Sequence, residues 1–251
     1  MSKVLTLFVS TETIVNCFEK IIVNSINHYS SYVCVANVHM CIEVKRNLDY
    51  ARIVNNADLV TADGMPLVWA LKLLYGIKQE RVAGMDLLPK LLEVAEEKDL
   101  KVFFYGGSEN MLSKTKEYIS KHYPSLKYHN YLSPPFRELS LEEMDEHANI
   151  INFSGANLVF VALGCPKQEK WMAAMKGKVN ACMVGIGGAL PVMIGMQKRA
   201  PLWMQKFGLE WLFRLAQEPK RLFKRYLITN SLFLRYLFIE FFKTRILKSH
   251  K

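Results

Sequence analysis

Six short runs, each almost continuous in apolar residues, leave this chain little choice of fold class. They are KVLTLFV (3–9), YVCVANV (32–38), DLVTA (58–62), KVFFYG (101–106), NLVFVALG (157–164) and ACMVGIG (181–187). A strand with one wet face alternates polar and apolar residues, whereas a strand covered on both faces need not. Helical stretches separate the runs, among them PLVWALKLLYG, LLPKLLEVAEEK and SENMLSKTKEYISKHY, the last with Ser108 as its N-cap. Ser140, with Glu143 three residues on, spells a capping box after the Pro-Pro break of YLSPPFRELSLEE. The alternation predicts an α/β fold, a mostly parallel sheet flanked by helices.

The pattern changes after Pro201. No strand run follows, and everything to the end reads as helix, with Pro219 suited to a first turn. We expect an α/β core over 1–200 and a helical appendage over 201–251. The charge is as uneven as the pattern. The net charge is +10, and from Ala200 onward eleven lysines and arginines stand against Glu210, Glu218 and Glu240. Such a tail implies an anionic partner: nucleic acid, acidic lipid or a phosphorylated ligand.

With 51% hydrophobic residues and no low-complexity run, disorder is excluded. Cys17, Cys34, Cys41, Cys165 and Cys182 are odd in number and lack CxxC spacing, which predicts reduced thiols in a cytosolic protein and no zinc site. The N-terminus reads as no signal peptide, and no uninterrupted apolar run is long enough to span a bilayer.

Ligands of open α/β sheets bind beyond the carboxyl ends of the strands, so the corners there carry the information. Asn37 and His39 follow the second run. The third enters TADGMP, where Asp63 is either a general base in a cleft or a helix N-cap. Gly106 and Gly107, in YGGS, either cradle phosphate with backbone N–H groups or make an ordinary turn. GIGGAL (185–190) carries the same ambiguity. GCPKQEKW (164–171) gathers Lys, Gln and Glu at a strand end, as either a binding corner or a solvated helix start led by Glu169. No DxD motif and no metal-ligand spacing occurs.

Taken in order, TADGMPLVW, RVAGMDLL, FFYGGSE, VALGCPKQEKWM, GIGG and KRAPLWMQKFGLEWLFRLAQEPKR resemble the WecG/TagA/CpsF family of glycosyltransferases, over about residues 30 to 225. The resemblance implies a Rossmann-like core that moves a sugar, often of N-acetylmannosamine type, from a UDP-sugar donor to a polyprenyl-diphosphate-linked saccharide. The products are teichoic acids or surface polysaccharides of bacteria. The implied reaction inverts the anomeric centre without a metal or other cofactor, at the inner face of the cell membrane. It also implies Asp63 as general base and Asn37, Arg81 and Gln168 as pocket residues. Two positions depart from the pattern: Val35 stands where some members have threonine, and Leu190-Pro191 where an aromatic-Asp pair is common.

An inverting transfer needs a base for the acceptor hydroxyl, positive charge for the departing diphosphate, and exclusion of water. Without a metal motif, Arg81 and the tail cations Arg214, Arg221, Lys224 and Arg225 are the candidates for the second. On a helical wheel Leu222, Phe223, Tyr226 and Leu227 lie opposite Lys220, Arg221, Lys224 and Arg225. This amphipathic stripe either holds an anionic membrane surface or packs on the core or a sister subunit in a homo-oligomer. A dinucleotide-dependent oxidoreductase would share the α/β pattern but needs GxGxxG with a following acidic residue, which is missing. A bare membrane- or nucleic-acid-binding module would explain the charge and leave the pocket corners unexplained; we expect no nucleic-acid partner.

Overall fold

The structure is a computed structural model and describes residues 1–249, with side chains through Thr244. Lys251, and the side chains of Arg245 and Lys248, all counted in the basic tail, lie outside the described residues. The chain opens with β1 (Ser2–Val4), β2 (Leu7–Val9), α1 (Ile14–Ile26), β3 (Ser31–Ala36), α2 (Val38–Arg46), α3 (Leu48–Asn55), β4 (Leu59–Ala62) and α4 (Met65–Tyr75). It continues through α5 (Gly84–Glu97), β5 (Val102–Tyr105), α6 (Glu109–His122), β6 (His129–Leu132), α7 (Leu141–Phe153), β7 (Leu158–Val161), α8 (Lys167–Met175) and β8 (Cys182–Gly185). Four helices close it: α9 (Ala189–Met193), α10 (Leu202–Lys206), α11 (Glu210–Gln217) and α12 (Pro219–Ser249).

The predicted α/β class holds. A six-stranded sheet runs in the order β4-β3-β8-β7-β5-β6. The pairings of β3 with β8, β8 with β7, β7 with β5 and β5 with β6 are all parallel. Strands β3, β4, β5, β7 and β8 are buried at every residue, as their unbroken apolar runs require. Ser108 caps α6 by accepting from the Met111 N–H, and the Ser140–Glu143 capping box is complete at α7.

Two features differ from the sequence reading. Residues 3–9 are not one sheet strand. They fold into a separate antiparallel ribbon, with Ser2 opposite Val9 and Val4 opposite Leu7. The turn places Leu5 at φ 58, a left-handed conformation that a non-glycine residue rarely adopts, so nothing in KVLTLFV announces it. The sheet also gains β6, a four-residue edge strand whose sequence, HNYL, has no apolar run to mark it.

The chain gathers into two compact units. One comprises Met1–Ile14, Val35–Ala83 and Arg199–Lys251; the other comprises Val15–Cys34 and Gly84–Lys198. In the first, α12 packs on α2 and α4, burying Leu222, Thr229 and Phe233 along one stripe of the helix. In the second, Phe104 packs on Phe160 and Tyr105 stacks on Trp171 at 3.9 Å between ring centroids. No helix among the described residues is long and apolar enough to cross a membrane. Cys17, Cys34, Cys41 and Cys182 are buried, Cys165 is half-buried, and none of the five is in a disulfide.

Candidate active site

In the first unit, two neighbouring strand ends carry the polar groups. The Asp63 N–H donates to the Ala36 carbonyl at 2.7 Å, so Asp63, just past β4, is fixed beside the residue that precedes Asn37. Asn37 caps α2, its side-chain oxygen accepting from the Met40 N–H at 3.2 Å, which leaves Nδ2 as the donor end of the amide. Asp63 does not hold the cap position that its sequence context also allowed. Gly64 occupies it, at φ 99 and ψ 140, and α4 starts without a side-chain cap.

Arg81 is tied to the same strand end. The Val82 N–H donates to Ala62 O at 2.9 Å and Thr61 Oγ1 donates to Val82 O at 3.1 Å, so this segment runs alongside the last residues of β4. The Arg81 guanidinium then reaches the tail helices: Nη1 donates to Glu210 Oε2 at 2.5 Å and Nη2 to Gln205 Oε1 at 3.1 Å. Both members of the ion pair are mostly buried, with side-chain exposures of 14% and 20%, where charge is weakly screened.

The tail cations divide by environment. Arg221 forms an ion pair with Glu218, and this hydrogen bond is the first cause holding the Glu218 carboxyl below its ordinary range. Lys224 is exposed, Arg214 is half-buried, and Arg225 lies over the Tyr226 ring at 5.3 Å. The amphipathic stripe splits. Leu222 is fully buried in the unit, whereas Phe223 and Leu227 are exposed, as are Leu234, Phe238 and Phe242 further along α12. His39, in the first turn of α2, has its pKa lowered by burial first and by the nearby Arg225 second, against a smaller opposing pull from Glu43. Its imidazole is therefore biased toward the neutral form.

In the second unit, the β5 corner turns through Gly106 and Gly107 at φ 101 and 85. A Cβ on Gly106 would lie 2.9 Å from the Ala162 backbone carbon, so the close approach of two backbones demands glycine. The Gly106 N–H is engaged by Leu132 O at 2.9 Å, which leaves the donors of this corner to Gly107 and beyond; Ser133 Oγ donates to Gly107 O. Gln168 is held on three sides. Its N–H donates to Gly164 O, its Oε1 accepts from the Gly164 N–H at 3.2 Å, and its Nε2 donates to Glu169 Oε1 at 2.7 Å. Both residues are buried, so GCPKQEKW does not begin a solvated helix. A Cβ on Gly185 or Gly187 would press on the Gln168 amide, which explains two of the three glycines of GIGG. Leu190 and Pro191, which replace the expected aromatic-Asp pair, are buried in α9.

The structure thus groups Asn37, Asp63, Arg81, Arg214, Arg221, Lys224 and Arg225 in one unit and Gly106, Gly107 and Gln168 in the other. Sequence reasoning passed over Gln205 and Glu210, although both lie inside the quoted KRAPLWMQKFGLEW block; a buried Gln beside an arginine leaves no periodic signal. Among the described residues, no three His, Cys, Asp or Glu side chains gather in a way that could hold a metal ion.

Comparison with known proteins gives the chain a context. The glycosyl transferase WecG/TagA/CpsF family matches residues 3–246. A Bacillus spizizenii protein, N-acetylglucosaminyldiphosphoundecaprenol N-acetyl-beta-D-mannosaminyltransferase, is 33% identical over 192 residues, 76% of this chain and 73% of its own. Proteins of the same name from Bacillus subtilis and Staphylococcus aureus are 31% and 27% identical, over 75% and 76% of this chain and 72% and 74% of theirs.

Proposed function

This chain belongs to the WecG/TagA/CpsF family and is a glycosyltransferase, and from that premise we propose that it transfers N-acetylmannosamine from a UDP-sugar to a polyprenyl-diphosphate-linked N-acetylglucosamine, with inversion. The observation that carries the reading is the pair of neighbouring strand ends at which the Asp63 N–H donates to the carbonyl of Ala36, the residue before Asn37. The relatives' names support the sugar and the lipid acceptor.

In this reading Asp63 takes the proton of the acceptor hydroxyl as its oxygen bonds to the anomeric carbon. The bond from that carbon to the UDP oxygen breaks, and the electron pair leaves with UDP. Cationic side chains stabilise the growing negative charge, Arg81 from the β4 end and Arg214, Arg221, Lys224 and Arg225 from the tail, so the step uses protein cations and no metal. The exposed apolar residues Phe223, Leu227, Leu234, Phe238 and Phe242, beside exposed Lys220, Arg221, Lys224 and Arg235, support attachment to an anionic membrane surface, where a polyprenyl acceptor resides.

The test is Asp63→Asn, assayed with UDP-N-acetylmannosamine and a short-chain polyprenyl-diphosphate N-acetylglucosamine. Loss of general-base catalysis should slow turnover about 10²–10⁴-fold while UDP binding persists. Turnover near that of the unsubstituted protein would remove Asp63 from the base role.

A further inference from the structure

We propose that the KRAPLWMQKFGLEW block is a clamp for one guanidinium, and that Gln205 and Glu210 are positioning residues for Arg81. The inference rests on the reading that Arg81 contacts the donor diphosphate.

The clamp is built in three layers. The backbone of Arg81 is fixed at the β4 end through Val82, one residue short of Asp63. Its guanidinium cannot then choose its direction freely, because both terminal nitrogens are engaged: Nη1 by the Glu210 carboxylate and Nη2 by the Gln205 amide oxygen. Gln205 is itself immobilised. It is only 6% exposed, its Nε2 donates to Ala200 O at 2.7 Å, and its Oε1 accepts a second guanidinium, Arg199 Nη2, at 3.3 Å. One amide oxygen thus sets two arginines side by side, and one carboxylate orients the first of them.

A glutamine suits this task better than a carboxylate. It accepts from both guanidiniums, donates to a backbone carbonyl and adds no charge that would compete with an incoming anion. The surrounding residues serve the same geometry. Pro201 starts α10 directly after Ala200, and Gly208 lets the chain turn from α10 into α11 so that Gln205 and Glu210 face Arg81 together. A rigid guanidinium in place before the donor arrives costs no reorganisation when charge develops on the diphosphate. The tail helices therefore shape the site through Arg81 as well as through cations of their own.

The test is a cycle of Arg81→Ala, Glu210→Gln, Gln205→Leu and the two double variants, using the full chain, UDP-N-acetylmannosamine and the short-chain acceptor. Arg81→Ala should lower kcat/KM for the donor about 10²–10³-fold. Glu210→Gln and Gln205→Leu should each lower it about 10- to 100-fold, as misplacement does, with the KM for the acceptor unchanged. In the Arg81→Ala background neither should cost anything further, because each acts through Arg81. Should Glu210→Gln fail to fold, Glu210→Asp repeats the test, since it keeps the charge and draws the guanidinium one methylene toward α11. Additive losses in the double variants, or unchanged donor kinetics in Glu210→Gln and Gln205→Leu, would overturn the clamp and leave Arg81 as a donor ligand. Losses of donor and acceptor KM together, tracking a fall in Tm, would assign both residues to docking alone. An Arg81→Ala protein with unchanged turnover would instead overturn the donor reading of Arg81, and the clamp with it.

Discussion

Gly208 offers a measurement of how tightly the tail is seated. It lies between α10 and α11 at φ +66, and a Cβ built on it would meet Trp69 Cη2 at 2.8 Å and Met65 Cβ at 3.1 Å, both on α4. Trp69 is 46% exposed and can swing outward; the Met65 Cβ is fixed to the helix backbone and cannot. Gly208→Ala therefore carries two costs, a left-handed conformation at about 1–2 kcal/mol and overpacking at about 1–3 kcal/mol. Gly76 separates them. It sits at φ +74 at the end of α4 with nothing within 4 Å of its would-be Cβ, so Gly76→Ala carries the conformational cost alone. Denaturant unfolding and thermal melts of the two variants should differ by about 1–3 kcal/mol, or about 2–12 °C for a chain of this size. Because Gly208 fixes the angle at which α11 presents Glu210, its alanine variant should also lose transfer activity at temperatures where it is still folded. If Gly208→Ala is no less stable than Gly76→Ala, the seating of α10 and α11 on α4 is looser than these distances imply.

Three further outcomes are expected. Leu222→Ala should cost about 2–5 kcal/mol in chemical denaturation, because Leu222 is fully buried; Phe223→Ser with Leu227→Ser should leave stability within about 0.5 kcal/mol per site and weaken sedimentation with anionic vesicles. The Glu143 carboxyl is held down to about 2, first by the hydrogen bond from Arg137 and then by the Ser140 backbone. A depressed carboxylate stabilises above its unfolded pKa of about 4.3 and ceases to as pH falls through the folded value, so the Tm gap between the unsubstituted protein and Glu143→Gln should be full at neutral pH and close between roughly pH 4 and pH 2. His39, His129 and His147 all have lowered pKa values, burial first; the unfolded chain binds their protons more readily, so stability should decline as pH falls below about 6.5, and His39→Gln should flatten part of that decline.

The core of the fold was legible because burial on both faces writes itself into composition. Strands β3, β4, β5, β7 and β8 each coincide with a run of apolar residues, and the serine caps of α6 and α7 are local chemistry with a fixed spacing. The N-terminal ribbon was not legible, since its turn hangs on Leu5 rather than on glycine or asparagine. Strand β6 escaped for a different reason: an edge strand has one partner, and its residues stay half-exposed and mixed in character. Within the candidate site, Asp63, Asn37 and Gln168 were visible as polar residues at strand ends. Glu210 and Gln205 were not, because their meaning lies in Arg81, more than a hundred positions earlier. The wheel drawn for the tail was half right for the same cause: it separates apolar from charged faces, but it cannot tell that Leu222 turns inward while Phe223 and Leu227 stay outside.

The unit that carries Asp63 is stitched from the beginning, an early stretch and the last fifth of the chain, with the other unit interleaved between its pieces. Synthesis runs from the N-terminus, so every segment of the interleaved unit has emerged by Lys198, while its neighbour still lacks α10, α11 and α12. Until they arrive, the apolar flanks of α2 and α4 have nothing to cover them, and Arg81 has neither Gln205 nor Glu210 to hold it. A nascent chain stalled late would thus hold a glycosyltransferase with its sheet strands made and the strand end at Asp63 unfinished. Before the final helix docks, the uncovered flanks of α2 and α4 are the kind of exposed apolar surface that cellular quality control recognises.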